Sequence, residues 1–204
     1  MPERDEMSER PEAARDAGDL GARAPFLQTP SQTVGPFFGY ALPYEGGPEI
    51  AAPWRADAIR FHGAVYDGAG EPVPDAILEV WGADADGRPI AERGSLARDG
   101  HGVTGFGRAA VDRAGHFSFT TVRPGAPAPG RAPYLLVTVF ARGLLHHLFT
   151  RAYFGDDPFL ATVPEDRRGT LLAVQDGDRS YRFDIRLQGD GETVFLDFMG
   201  DGRG

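Results

Sequence analysis

The apolar residues of this chain fall in short segments, mostly of period two, cut apart by glycine- and proline-rich turns. With 28 Gly and 17 Pro in 204 residues, no segment has the length of an ordinary helix. Residues 59–66 alternate apolar and other side chains, and residues 76–81 follow after a turn-rich connection at 67–75. Residues 109–119 repeat the scheme as strand, Asp112-x-x-Gly115 turn and strand. Residues 135–140 form a nearly continuous apolar run of strand length, which predicts a central strand, and 144–154 a neighbour beside it. In 181–187 Tyr, Phe, Ile and Leu share one face and Arg, Asp, Arg the other. Gly189-Asp-Gly-Glu then turns into 193–198, so the end of the chain reads as a hairpin. One short helix is expected after Thr162-Val-Pro-Glu165, which has capping-box spacing. About eight short strands and at most one or two short helices define an all-β, two-sheet sandwich.

Residues 1–24 hold seven acids, four bases and almost no large apolar side chain, and read as a disordered or frayed extension. The sandwich domain is expected over 25–204. Its first segment, Gln28-Thr-Pro-Ser-Gln-Thr-Val-Gly-Pro-Phe-Phe38, is neither regular helix nor central strand. It reads as a shaped loop ending in two aromatics that need burial. The net charge of −9 disfavours nucleic acid and anionic membrane surfaces. The absence of cysteine excludes thiolate metal sites and fits a reducing cytoplasm. Neither a secretory leader pattern nor a run of about 18 apolar residues is present in the sequence.

The chain's own chemistry is sparse. No two of the five histidines, His62, His101, His116, His146 and His147, have the spacing that sets two imidazoles on one strand face. No serine sits in a Gly-x-Ser-x-Gly elbow. Asp84 and Asp86 lie in a turn beside Gly87, which accounts for them. Two features exceed what a plain sandwich needs: the 28–38 loop, and Phe140-Ala-Arg-Gly143, where an arginine directly follows the apolar run.

At these residues the chain resembles the intradiol ring-cleavage dioxygenases. The resemblance rests on Thr29-Pro-Ser-Gln-Thr-Val-Gly-Pro-Phe-Phe38, Gly63-Ala-Val-Tyr-Asp-Gly68, Leu78-Glu-Val-Trp-Gly-Ala-Asp-Ala-Asp-Gly87, Phe140-Ala-Arg-Gly143, Thr150-Arg-Ala-Tyr-Phe154, Tyr181-Arg-Phe-Asp-Ile-Arg186 and Gly191-Glu-Thr-Val-Phe195, in order over residues 26–198. It points to the alpha-type chain of enzymes built from homologous alpha and beta subunits. It implies that the beta chain holds Fe(III) with two tyrosines and two histidines. Protocatechuate bound there is cleaved by dioxygen to 3-carboxy-cis,cis-muconate, a step of aromatic catabolism. By the same resemblance the four ligand positions fall on Pro89, Pro127, Tyr134 and Leu136, which cannot rebuild a site of two phenolates and two imidazoles. The implied contribution of this chain to the substrate pocket is Thr33, Gly35, Pro36 and Arg142. A stand-alone, non-catalytic binding module of transthyretin type is the alternative that the strand pattern also allows.

Overall fold

The computed structural model describes residues 29–90 and 98–198. The expected extension, 1–24, and Ser95 lie outside the described residues. Residues 32–198 carry the fold described below.

Two sheets face each other. In the first, β1 (Ala58–Tyr66) pairs antiparallel with β4 (His116–Val122) and parallel with β8 (Ser180–Arg182), which continues to β7 (Val174–Gly177). Further along β1, β9 (Ile185–Arg186) adds a second parallel segment. The other sheet runs β3 (Phe106–Ala110), β2 (Ile77–Gly82), β5 (Tyr134–Phe140), β6 (Leu148–Tyr153). β5 is internal, as its apolar run predicts.

The alternation seen in the sequence becomes the core. Phe61 and Val65 of β1, Phe117 and Phe119 of β4, Leu78 and Val80 of β2, and Leu135, Val137 and Val139 of β5 all point between the sheets and are buried. Phe61 is the centre, with the rings of Phe117, Phe119, Phe154 and Phe183 at 5.9–6.5 Å between centroids. Such tilted and offset aromatic contacts add to the area they bury. Helices are short: α1 (Phe38–Ala41) and α2 (Glu165–Arg168) have four residues each.

Several expectations are corrected. Residues 59–66 and 76–81 are not partners across a turn, because β1 and β2 belong to different sheets, as do β3 and β4. Both turns therefore cross from one sheet to the other. The C-terminal hairpin is reduced to one rung: Thr193 N–H donates to the Arg186 carbonyl at 3.0 Å, and Arg186 N–H to Thr193 Oγ1 at 3.0 Å. The 181–187 segment lies on β1 instead. Ala64 N–H donates to the Asp184 side chain at 3.2 Å, which interrupts the ladder and splits the segment into β8 and β9. Beyond Thr193 the chain departs to β6, where Leu196 N–H donates to the Phe149 carbonyl at 2.7 Å. Alternation names the buried face but not the strand alongside. The capping box does not form either. Thr162 Oγ1 donates to the Phe159 carbonyl at 2.7 Å, closing the preceding 3₁₀ turn, and Pro164 occupies the cap of α2 without a side-chain bond.

One buried carboxylate fixes the entry into β5. Asp157 is 2 % exposed and accepts from Ala132 N–H at 2.9 Å, Phe159 N–H at 2.9 Å and Arg131 Nε at 3.0 Å. Burial opposes its ionisation. The Arg131 guanidinium and the two backbone donors outweigh burial and hold the carboxyl below the usual carboxylate range. A group whose folded pKa is depressed contributes stability above its unfolded pKa, and that stability is lost as pH falls through the folded value. Asp157→Asn turns one acceptor into a donor facing the buried Ala132 N–H. Urea denaturation at pH 7 should register a loss of about 2 kcal/mol. The gap between variant and parent should narrow as the pH is lowered below the ordinary carboxylate range.

Candidate functional site

The residues singled out from the sequence gather into two groups, one at each end of β5. The first lies past its C-terminal end. Gly143 N–H donates to Thr33 Oγ1 at 2.7 Å, which ties the proline–glycine loop to the strand end carrying Arg142. Arg142 Nε forms an ion pair with Asp75, from the connection between β1 and β2. The Arg142 side chain is still 58 % exposed. Guanidinium has five donors in a fixed fork, so one edge is held by Asp75 and the rest face outward. Asp75 was not visible as a site residue in the sequence. It lies 67 positions from Arg142, and only the fold brings the two together.

Gly35 and Pro36 are exposed beside Thr33, and Phe38 N–H donates to the Gly35 carbonyl at 3.2 Å to start α1. A Cβ added at Gly35 would meet nothing within 4 Å. The two aromatics of this loop are not buried by their own chain, contrary to expectation. Phe37 is 76 % exposed and Phe38 only partly covered, while Tyr40 in the next turn is 87 % exposed. Leu145, 60 % exposed, and His146 and His147 line a small hollow with Gln32 and Val34 of the loop.

The second group lies toward the N-terminal end of β5, on the outer face of its sheet. Pro89, Pro127, Tyr134 and Leu136 all line one cavity of about 400 Å³. Their convergence is notable because 89, 127 and 134–136 come from three separate segments. Two backbone loops hold the prolines. Asp84 Oδ1 accepts from the N–H groups of Asp86 and Arg88 at 2.9 and 2.8 Å, shaping the 84–88 turn. Gly87 of that turn presses on Gly125, whose added Cβ would lie 2.3 Å from Gly87 N. Tyr134 and Leu136 are two apart on β5 and therefore share a face.

Whether iron suits this cavity is decided by its donors. Two prolines and a leucine offer no side-chain ligand atom, and Arg151, also in the wall, carries a positive charge. Among the described residues, no cluster of three His, Cys, Asp or Glu could hold a metal ion. The residues present do not fit Fe(III). Three of the five histidines are engaged elsewhere: His62 Nε2 lies 3.0 Å from Asp176, His116 contacts Asp112 at 3.4 Å, and the His147 ring packs between Phe140 and Phe149. No helix among the described residues is long and apolar enough to cross a membrane.

The two-sheet sandwich is the fold that the sequence motifs implied, and it sets a strand-end arginine at one end of β5 and a tyrosine–leucine–proline cavity toward the other. The family model described as Dioxygenase matches residues 56–189, and the chain belongs to that family. More particularly, it is 45% identical over 194 residues to the protocatechuate 3,4-dioxygenase alpha chain of Burkholderia cepacia, covering 83% of this chain and 97% of that one. It is 31% identical over 154 residues to the protocatechuate 3,4-dioxygenase beta chain of the same organism, covering 65% of each. Among solved structures, the dioxygenase domain of a carbohydrate-binding fusion protein from Streptomyces sp. SirexAA-E superposes with a TM-score of 0.51 at 24% identity, over 80% of this chain and 99% of that one. The last likeness establishes the fold.

Proposed function

We propose that the chain is the alpha subunit of a protocatechuate 3,4-dioxygenase, and that residues 25–204 form the domain that completes an active site whose Fe(III) belongs to a homologous beta subunit. The observation that carries the reading is the separation of the two ends of β5. The cavity at the former ligand positions lacks a donor set, yet Thr33 and Arg142 remain assembled at the other end, up to about 20 Å away along six residues. Groups held so far from the chain's own cavity serve a pocket outside it.

In this reading Arg142 offers the outward edge of its guanidinium to the ring carboxylate of protocatechuate. Asp75 keeps that guanidinium from swinging away. Gly35 and Pro36 give the substrate ring a rigid backbone edge to lie against, and the open space beside Gly35 is consistent with a neighbour supplied from another chain. Thr33, through its bond to Gly143, holds the loop in register with the arginine. When bound in the beta subunit, the ferric ion supplies the oxygen chemistry of ring cleavage, and this chain's part is to orient and neutralise the substrate anion.

The exposed aromatics support the partnership. Phe37, Tyr40 and Leu145 present apolar surface next to the Thr33–Arg142 cluster, as an obligate contact would require. Co-expression with the neighbouring beta chain tests the proposal. The parent pair should co-purify with one ferric ion per pair. Phe37→Ser/Tyr40→Ser should weaken co-purification at least tenfold and leave the circular dichroism of the chain unchanged. A parent chain that stays monomeric beside an iron-loaded beta chain, or that itself carries stoichiometric iron, would refute it.

A further inference from the structure

The cavity at Pro89, Pro127, Tyr134 and Leu136 offers no metal donor set among the described residues, and its wall contains an unmet chemical demand. Among the described residues the wall is mostly apolar and its one charged side chain is Arg151, which projects from β6 opposite Leu136 in the strand register. Arg151 forms no ion pair among the described residues. Its guanidinium lies over the Tyr134 ring at 4.6 Å from the centroid, and one terminal nitrogen donates to the Tyr153 hydroxyl at 3.2 Å. Its Nε is buried with no acceptor at all. A buried donor on a charged group without a partner is costly, and buried polar groups of this kind are almost always satisfied. Nε has no accessible surface and is closed to the cavity, so what the cavity meets is the remaining terminal edge of a guanidinium that still lacks an anionic acceptor.

The remaining wall states what should carry that acceptor. Trp81, Tyr134 and Phe198 contribute aromatic surface, and Pro89, Pro127, Ile90 and Leu136 aliphatic surface. A volume of about 400 Å³ lies in the range of small-molecule sites, which are mostly apolar with a few oriented polar groups. We propose that this cavity is a second, non-catalytic site that binds a small aromatic carboxylate, its ring between Trp81 and the proline wall and its carboxylate on Arg151. The positive charge that draws an organic anion also repels a metal cation, so this role replaces metal binding instead of accompanying it. The proposal does not rest on the function proposed above, since every group it uses lies within this chain.

The chain has two tryptophans, so Trp54→Phe leaves Trp81 as the sole fluorophore, placed in the cavity wall. Benzoate, which lacks the vicinal hydroxyls needed for ring cleavage, serves as the probe, with neutral benzamide as control. The full chain, purified without a partner chain, should give saturable change in Trp81 emission with benzoate at an affinity at least about tenfold above that for benzamide. Arg151→Met keeps the apolar stem, removes the orphaned donor and should erase that preference. Leu136→Phe should weaken both ligands by filling the cavity. Equal affinity for benzoate and benzamide, an unchanged preference in Arg151→Met, or no saturable change with benzoate in the parent would overturn the proposal. With no partner's pocket present in this assay, failure of the alpha-subunit reading and failure of this one are separate results.

Discussion

Arg142→Ala, assembled with the beta subunit, should raise KM for protocatechuate by about 10- to 100-fold while the iron content of the enzyme stays unchanged. The magnitude follows from the loss of one charge-assisted contact, worth about 1.5–3 kcal/mol. Its sign follows from the geometry: the guanidinium is anchored to Asp75 on one edge and exposed on the other, so truncation removes a held positive charge and leaves Asp75 facing the same space. That second effect adds repulsion toward a carboxylate substrate. Two companion variants separate the contributions. Arg142→Ala/Asp75→Ala should recover part of the loss because the stranded carboxylate is gone. Thr33→Val should cost less than Arg142→Ala, since it removes one hydrogen bond between loop and strand end and no charge. Steady-state kinetics with protocatechuate at constant ionic strength reads all three. An unchanged KM in Arg142→Ala would remove this arginine from the pocket.

The second large effect is structural. Gly125→Ala should destabilise the chain by about 3 kcal/mol in urea denaturation and disorder the cavity lined by Pro89, Pro127, Tyr134 and Leu136. A Cβ at 125 would lie 2.3 Å from Gly87 N, 2.4 Å from the Ala85 carbonyl oxygen and 2.6 Å from Asp86 C. All three are backbone atoms of a turn fastened by the Asp84 side chain, so no rotamer change relieves the overlap. The 84–88 turn must move, and Pro89 with it. Gly87 adds a second constraint, for its φ of 81° is in the left-handed region and its own Cβ would sit 2.1 Å from the Ala126 carbonyl oxygen. Kinetics of the assembled enzyme should respond much less than stability does, because the affected loops lie at the opposite end of β5 from Arg142.

Most strands were legible because each buries one face and therefore alternates, and β5 because an internal strand is apolar almost throughout, whereas β7, exposed along all four residues, gave no such signal and was not anticipated. Their assignment to sheets was not legible. Asp67–Asp75 and Asp112–Gly115 carry ordinary turn residues, and nothing in a turn's composition says whether the next strand returns to the same sheet or crosses to the other. The C-terminal segment failed as a hairpin for a related reason: the side chain of Asp184 substitutes in the β1 ladder, a contact 120 residues distant in sequence. Within the site, the residues alone showed the loop and the strand end as two separate oddities, and only the family resemblance assigned them to one pocket. Thr33 and Gly143, 110 residues apart, make it one object. Arg151 went unnoticed, since an arginine within Thr150-Arg-Ala-Tyr-Phe154 reads as an outward strand residue until Tyr134 and Tyr153 are seen around it.

The spacing of the two clusters along β5 has a consequence for how such a subunit can change. Substitutions separated by more than about 10 Å without shared partners act almost independently. Here the rigid internal strand sets the cavity residues and the Thr33–Arg142 cluster beyond that limit. Mutational drift can therefore erase one end without disturbing the other, and a duplicated chain built on this plan can surrender its own catalysis while remaining indispensable to its sibling's. On the proposed alpha-subunit reading, a chain without ligands at one end depends on its sibling for the metal half of the pocket.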